Sequence, residues 1–425
     1  MSTIAEKFIQ DATTKAFDPE HRRKLTFNIS QYDKKVIDGK KQFSNLELAR
    51  ERASFLKAKV IDNLDKYLIE FEANFIKRGG KVIWARDAEE ANQEIVKILK
   101  RFNTKTVVKS KSMVTEEIHL NEALEKEHIE SLETDLGEFI VQLRKEAPYH
   151  IVTPAMHLSK EDVAKTFHEV KGTPENYTPA EITAYVRQFL REKYVAAEAG
   201  ITGGNFLIAD IGAVALTENE GNAWLSMAFP KVHIAIVGIE KIIPSYADME
   251  LFWSLLATDG PEEMYVVLLD NGRTNVLEQV EQRRALHCIR CGACLNACPI
   301  YQSVGGHTYA SPYSGPIGSV LTPQLWGMKE YKHLSYSSSL CGRCTEVCPV
   351  KIDLHKLLLY NRRDAVKEKL STTTENITWV FWKKAMMKRS MMDKGGAMLK
   401  NFMLNQFFKK QWGSKRELPK VAPKS

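Results

Sequence analysis

Every cysteine in this 425-residue chain lies in one of two short runs. HCIRCGACLNACPIY places Cys288, Cys291, Cys294 and Cys298 in the spacing C-x2-C-x2-C-x3-C, followed by proline. SYSSSLCGRCTEVCPVKI supplies Cys341, Cys344 and Cys348 as C-x2-C-x3-C, again followed by proline. Three thiolates at x2 spacing can reach one small iron-sulfur cube from a single tight turn, and a fourth must come from farther away. In two-cluster ferredoxins the cysteine before proline is exchanged between the runs. On that rule Cys288, Cys291, Cys294 and Cys348 complete one [4Fe-4S] cluster, and Cys298, Cys341 and Cys344 hold a second with three thiolates. Ser338 stands where an eight-cysteine pattern would carry its last thiol. The second site is then either a [3Fe-4S] cluster or a [4Fe-4S] cluster whose fourth iron takes Ser338, His333, or a solvent or substrate oxygen. Against Ser338 stands the ordinary reading of a serine in SYSSS as a surface-loop residue.

Paired C-x2-C motifs also build structural zinc sites, but zinc requires neither a third cysteine at x2 nor proline after the last one. A dithiol redox motif is disfavoured because each C-x2-C is embedded among further ligands. His287, His307 and His333 flank the runs and could tune a cluster through hydrogen bonds to sulfur, although a loop histidine is the plainer reading of each. No HExxH, P-loop, GxSxG or GxGxxG pattern is present. Upstream, KSKSMVTEEIHLNEAL gathers Lys109, Ser110, Lys111, Ser112, Glu116 and Glu117 just after a strand pattern, where open α/β sheets bind ligands. The same residues read equally as a helix start capped by Ser112, with acidic groups at the positive end of the dipole. The turn Gly203, Gly204, Asn205 after Thr202 could approach a ligand closely, or simply make the turn.

The elements that must position these groups fall into two styles. Apolar residues spaced three or four apart over 43–78 predict one amphipathic helix, stopped by Gly79 and Gly80. Strand patterns follow at 81–85, 106–110, 150–153, 232–239 and 264–269, separated by helical stretches such as 87–102, with Asp87 and Glu90 as a capping pair, and 179–199. That alternation predicts an α/β domain with a largely parallel sheet. Residues 201–222, split by glycines, read as an appended hairpin or ribbon. From about 275 the β character ends and a helical cysteine region begins. The expected organisation is a helical segment at 1–42, the α/β domain at 43–274, an α-helical ferredoxin domain at 275–368 and a tail at 369–425.

With 44% hydrophobic and 27% charged residues the chain reads as globular, and its length calls for more than one core. The net charge is +7, yet residues 381–425 alone carry +10, which leaves −3 for the rest. The basicity belongs to the tail, and a nucleic-acid-binding reading of the whole protein loses its support. That tail mixes Met386, Met387, Met391, Met392, Met398 and Met403 with Trp379, Trp382, Phe402, Phe407, Phe408 and Trp412, which suits an acidic partner or peripheral membrane contact, or a self-packed or disordered tail. No stretch reaches the ~20 apolar residues of a membrane span. An odd number of thiols in metal-ligand spacing, with no export signal evident, points to a reducing, cytoplasmic setting.

Taken together, CIRCGACLNACPIY and SLCGRCTEVCPVKI, joined by GGHTYASPYSGPIGSVLTP, resemble the iron-sulfur B subunit of bacterial L-lactate utilisation complexes. VVKSKSMVTEEIHLNEAL, TDLGEFIVQL, ITGGNFLIAD and ENEGN through VHIAIVGIEKIIP are similar to the same family, so the resemblance covers residues 45–365. It implies a sugar-isomerase/CoA-transferase-like α/β domain, an α-helical ferredoxin domain with two iron-sulfur clusters, and electron transfer during oxidation of L-lactate to pyruvate. It also implies two partners, a cysteine-rich subunit and a single-domain relative of the α/β part. The competing readings are a catalytic chain that binds lactate in the α/β domain or at an open iron, and a binding or regulatory module with structural clusters.

Overall fold

The computed structural model describes the whole chain except residues 1–2, 41–44, 151–152, 219, 253–262, 389, 391–395, 410–416 and 423–425. Residues 1–364 form one compact unit and residues 365–425 another.

The first unit is built on a six-stranded sheet. Its strands in chain order are β1 (Lys81–Ala85), β2 (Thr106–Lys109), β3 (Glu130–Glu133), β4 (Ala199–Thr202), β7 (Val232–Gly238) and β9 (Glu263–Leu269), arranged β1-β9-β7-β4-β2-β3 with every pair parallel. β5 (Phe206–Ile208) and β6 (Ala213–Ala215) form an antiparallel hairpin, and β8 (Ile242–Ile243) adds to it in parallel. The glycine-split stretch is thus a hairpin, as its pattern suggests, but Ile201 and Thr202 at its start belong to β4 of the main sheet.

A parallel sheet is covered on both faces, and its strands are accordingly apolar throughout. In β7 every residue is buried, and the side chains divide by the two-residue strand period. Ile234 and Ile236 meet Ala91, Ile95 and Leu99 of the helix Ala88–Arg101. Ala235 and Val237 face Val60, Leu68, Phe71 and Phe75 on the helices Leu46–Ile61 and Leu64–Lys77. Each such aliphatic side chain contributes about 1.5–3 kcal/mol through burial. Asp87 caps its helix as expected, accepting the Glu90 N–H at 2.9 Å.

Three sequence expectations need correction or restriction. The helix expected over 43–78 is two helices, parted at Asp62 and Asn63, where the Asn63 amide donates to Lys59 O at 2.9 Å. Val60, Ile61 and Leu64 stay buried across the break, so the apolar period runs on and conceals it. β3 was not expected: its ESLE sequence is that of a charged edge strand, with Glu130 paired to Lys193 at 3.0 Å and Glu133 to Lys109 at 2.6 Å. Of the strand expected at 150–153, Ile151 and Val152 lie outside the described residues, and neither His150 nor Thr153 is in a strand.

In the second unit, the helix Thr373–Met386 opens with a Thr372/Glu375 capping box, and Gly396–Met403 runs into one π-helical turn, Leu404–Phe408. Trp379, Trp382, Met398, Phe402 and Phe407 are exposed. Met391, Met392 and Trp412 lie outside the described residues.

Burial holds several histidines of the first unit neutral. Burial pushes His150 and His157 down to about 4 and His233 down to about 3, below their ordinary 6.5. The unfolded chain therefore binds more protons between those limits, so stability is complete above pH 6.5 and declines as pH falls toward 4. The urea midpoint followed by far-UV circular dichroism should drop between pH 7.5 and 5.5. His233→Asn, which keeps a partner for Thr202 Oγ, now 2.8 Å from His233 Nε2, should shrink that drop; an undiminished drop would remove His233 from the account.

Candidate metal centre

The two cysteine runs repeat one backbone device. Arg290 (φ 61°) and Gly292 (φ 75°) bracket Cys291 in left-handed conformation, and Leu340 (φ 55°) and Gly342 (φ 78°) bracket Cys341 in the same way. A four-residue helix follows each, Ala293–Asn296 carrying Cys294 and Arg343–Glu346 carrying Cys344. Such a turn lets thiols two residues apart face one point. The repeat extends to the start of each run. Arg290 N–H donates to Cys288 Sγ at 3.4 Å, and Leu340 N–H donates to Ser338 Oγ at 3.1 Å. Ser338 oxygen therefore holds the place in the second run that Cys288 sulfur holds in the first.

The thiols sense one another in two groups. Burial, then the charge on Cys288 and Cys348, pushes Cys291 up to about 12. Burial and the charges of Cys288, Cys291 and Cys348 raise Cys294 as well. Elsewhere burial, then Cys298 and Cys341, pushes Cys344 up to about 11. Each group thus contains the pre-proline cysteine of the other run. Cys288, Cys291, Cys294 and Cys348 line a small recess closed by Ile317, Val350 and Ile352. Ile352 N–H donates to Cys348 Sγ at 3.3 Å. Dry, soft donors that oppose each other's ionisation suit a thiophilic metal, because a coordinating thiol is deprotonated outright. The first group fits an iron-sulfur cluster with four thiols; the second offers three.

Beside the first group runs a buried seam of charge. Arg273 forks onto Glu117 at 2.8 and 2.9 Å, and its Nε donates to Glu240 at 2.8 Å. Tyr313 bonds Glu117 through its hydroxyl, and the Arg290 guanidinium lies over the Tyr313 ring at 4.5 Å. Lys57 donates to Glu240 O at 2.5 Å. Burial works to raise Glu240, yet Arg273 and then Arg290 hold its carboxyl down to about 2.

The seam floors one end of a cleft of about 910 Å³ outside the carboxyl ends of the strands, where open α/β sheets take ligands. Ser110, Lys111 and Ser112 enter it from the end of β2, Gly203, Gly204 and Asn205 from the end of β4, Lys241 from beyond β7, and Arg290 and Cys291 from the first cysteine run. Of the residues singled out in the sequence, Lys109 lies beneath this surface, fully buried between Glu133 at 2.6 Å and Glu116 at 3.4 Å, and neither Lys109 nor Glu116 lines the cleft. Ser112 also caps its helix, accepting the Thr115 N–H at 3.4 Å. Gly203 and Gly204 have a packing reason to lack side chains: a Cβ would come within 2.7 Å of Ser112 Oγ at the first and of Val237 at the second. His287 is buried beside Lys57, His307 bonds Ala147 O at 2.7 Å, and His333 bonds Glu330 O at 3.1 Å.

Sequence reasoning missed Lys57, Glu240, Lys241, Arg273, Arg290 and Tyr313. One signal was available: Glu240 and Lys241 interrupt the apolar run VHIAIVGIEKII, where charges survive burial only with partners.

Residues 68–278 match the LUD domain and residues 284–352, which include all seven cysteines, match the 4Fe-4S dicluster domain. Over 359 residues the chain is 45% identical to Lactate utilization protein B of Shouchella clausii, covering 79% of this chain and 75% of that protein. It is 42% identical over 399 residues to Lactate utilization protein B of Oceanobacillus iheyensis, covering 88% and 83%. With the Bacillus subtilis protein of the same name it shares 45% identity over 356 residues, covering 78% and 74%. Among solved structures, a DUF162 family protein from Deinococcus radiodurans matches 48% of this chain and 98% of its own, with 13% identity and a TM-score of 0.28. No helix among the described residues is long and apolar enough to cross a membrane.

Removing one partner from a buried ion pair costs about 3–5 kcal/mol, because the other charge stays dry and unpaired. Arg273→Met takes the fork from Glu117, which keeps only Asn271 and the Tyr313 hydroxyl as neutral donors, and leaves Glu240 to Arg290. It should lower the urea-derived stability by about that much, with Arg273→Lys recovering only part of the loss. A loss below about 1 kcal/mol, the scale of a surface pair, would show that the seam does not hold the unit together.

Proposed function

This chain belongs to the lactate utilization protein B family, and we propose that it serves as the iron-sulfur electron-transfer subunit of a multi-subunit assembly that oxidises L-lactate to pyruvate. The observation that carries this reading is the division of seven thiols into two groups that exchange their pre-proline cysteines, with Cys291 of the first on the wall of a ligand-sized cleft on the α/β sheet.

When bound, iron-sulfur clusters supply one-electron acceptance and release. The chain's own residues supply the rest. Cys288, Cys291, Cys294 and Cys348 would hold the first cluster, and Cys298, Cys341 and Cys344 the second. Ser338 oxygen, placed like Cys288 sulfur, is our candidate for the remaining ligand. Ile317, Val350 and Ile352 give the first group an apolar lining. Backbone N–H groups of Arg290 and Ile352 bond its sulfurs, and Lys57, Lys241 and Arg290 set positive charge against Cys288. Such bonds and charges favour added negative charge and so raise a reduction potential. The partners in this reading are a cysteine-rich subunit and a single-domain relative of the α/β part, in the cytoplasm.

The test is anaerobic preparation, iron and acid-labile sulfide analysis, and EPR before and after dithionite. Cys348→Ser should remove the cluster of the first run although it lies in the second, and Cys298→Ser the reverse. Zinc in place of iron would end the redox reading. Ser338→Ala should convert a four-iron signal at the second site to that of a [3Fe-4S] centre in oxidised protein; an unchanged spectrum would exclude the serine as a ligand.

A further inference from the structure

We propose that Arg290 and Lys241 form an anion subsite at the cysteine end of the cleft, built for the carboxylate of a small 2-hydroxy or 2-oxo acid. The inference rests on the lactate-oxidation reading for the identity of the acid, and on the geometry alone for the site.

Arg290 is held but not satisfied. Its side chain is 9% exposed, stacked on Tyr313 at 4.5 Å, with Nη2 3.4 Å from Glu240 Oε1. Its Nη1 is buried without a hydrogen-bond partner among the described residues, on a residue that lines the cleft. Lys241, 5% exposed, lines the same cleft and has no hydrogen bond or ion pair at bonding distance among the described residues. Burial, then repulsion by Arg290, holds Lys241 down to about 7, so Arg290 is the permanent cation of the pair and an anion seated beside both would keep Lys241 charged. Among the described residues of the seam, the carboxylates set against Lys57, Lys241, Arg273 and Arg290 are Glu117 and Glu240, and Arg273 already forks onto Glu117. Positive charge is therefore left over where the cleft begins.

The thiolates of the first group draw on that excess through space, since Cys288 acts on Lys57, Lys241 and Arg290. Charge at a distance does not satisfy an N–H, which needs an acceptor atom at bonding distance. A guanidinium edge with an ammonium beside it matches a planar carboxylate.

The rest of the cleft restricts the size and charge of the occupant. Lys111, the remaining cation on its wall, is paired with Asp135 at 3.1 Å. Glu218 and Glu220 stand on the wall as well. An extended polyanion such as a dinucleotide would meet these carboxylates, whereas a short monoanion seated on Arg290 and Lys241 would not. Ser110 adds to the same cleft a buried hydroxyl with no hydrogen-bond partner among the described residues. Because Cys291 shares the wall with Arg290, a carboxylate anchored there lies beside the first thiol group.

Isothermal titration of the full chain, loaded with clusters and kept anaerobic, tests the site with L-lactate, pyruvate, propionate and inorganic phosphate. Lactate and pyruvate should bind more tightly than propionate or phosphate. Lys241→Met, and Arg290→Lys, which keeps the charge but loses the fork, should each weaken binding roughly tenfold or more. Iron content, sulfide content and circular dichroism identify variants that fold and load. Pyruvate should also perturb the EPR spectrum of the cluster that Cys348→Ser removes, and not that of the other. Unchanged affinity in both folded variants would overturn the site, and phosphate or propionate binding as tightly as lactate would overturn the assignment to a hydroxy or oxo acid. A fully loaded chain that binds none of the four sinks this inference and leaves the electron carrier standing. A chain that takes up no iron sinks the carrier reading instead.

Discussion

A guanidinium taken out of water is tolerated only when its charge and its N–H groups all find partners, and Arg273 finds them on separate parts of the chain. Glu117 comes from the short helix after β2, Glu240 from the turn after β7, and Tyr313 from the connector between the cysteine runs. Arg273 itself follows β9. Apolar contacts are indifferent to small shifts, but a forked pair between buried groups is met at one relative placement of these segments. The carboxyl edge of the sheet and the first cysteine run are thereby set against each other.

The same constraint explains where the cleft lies. Strand ends that would otherwise open to solvent are roofed on one side by the cysteine run, so residues beyond β2, β4 and β7 share a wall with Arg290 and Cys291. Glu240 sits at the junction, answering Arg273 with one oxygen and Arg290 with the other. A carboxylate used by two guanidiniums cannot also neutralise Lys241 in full. The shortage of negative charge at the Arg290 end of the cleft follows from the joint that holds it in place.

How much of this could be read in the sequence depended on the range of the interactions. β1, β2, β7 and β9 are local apolar runs with turn signals at their ends, and all were legible. The cysteine spacing announced metal ligation because one backbone turn brings those thiols together. The break at Asp62 and Asn63 was not legible, because the apolar period continues through it. β3 was missed because its glutamates are stabilised by Lys109 and Lys193, far away in sequence. Arg273 and Arg290 carry no local signal of their burial, since nothing near them in sequence says that Glu117, Glu240 and Tyr313 converge on them. Of the residues after β2, Ser110 and Ser112 line the cleft, whereas the most buried cation of that stretch, Lys109, turns inward to Glu133.

Charge also separates the two thiol groups. Arg50 bonds Cys348 O at 2.9 Å, and Lys57, Lys241 and Arg290 act on Cys288, so the first group is ringed by cations. For Cys298 and Cys344 the main influences are burial, neighbouring thiols and backbone N–H groups, with Tyr309 close by. Positive charge close to a desolvated site stabilises added negative charge more than hydrogen bonds from neutral donors do. On the proposed ligand assignment, these cations favour an incoming electron at the first group, the one that shares its wall with the cleft. An electron resting there lies nearest the place where an anionic substrate would be held, and Cys298 and Cys348, by crossing between the runs, tie the second group to the first through a few residues of backbone. On the proposed electron-carrying reading, the asymmetry that leaves Lys241 without a bonded partner among the described residues is the same one that distinguishes the two ends of the electron path.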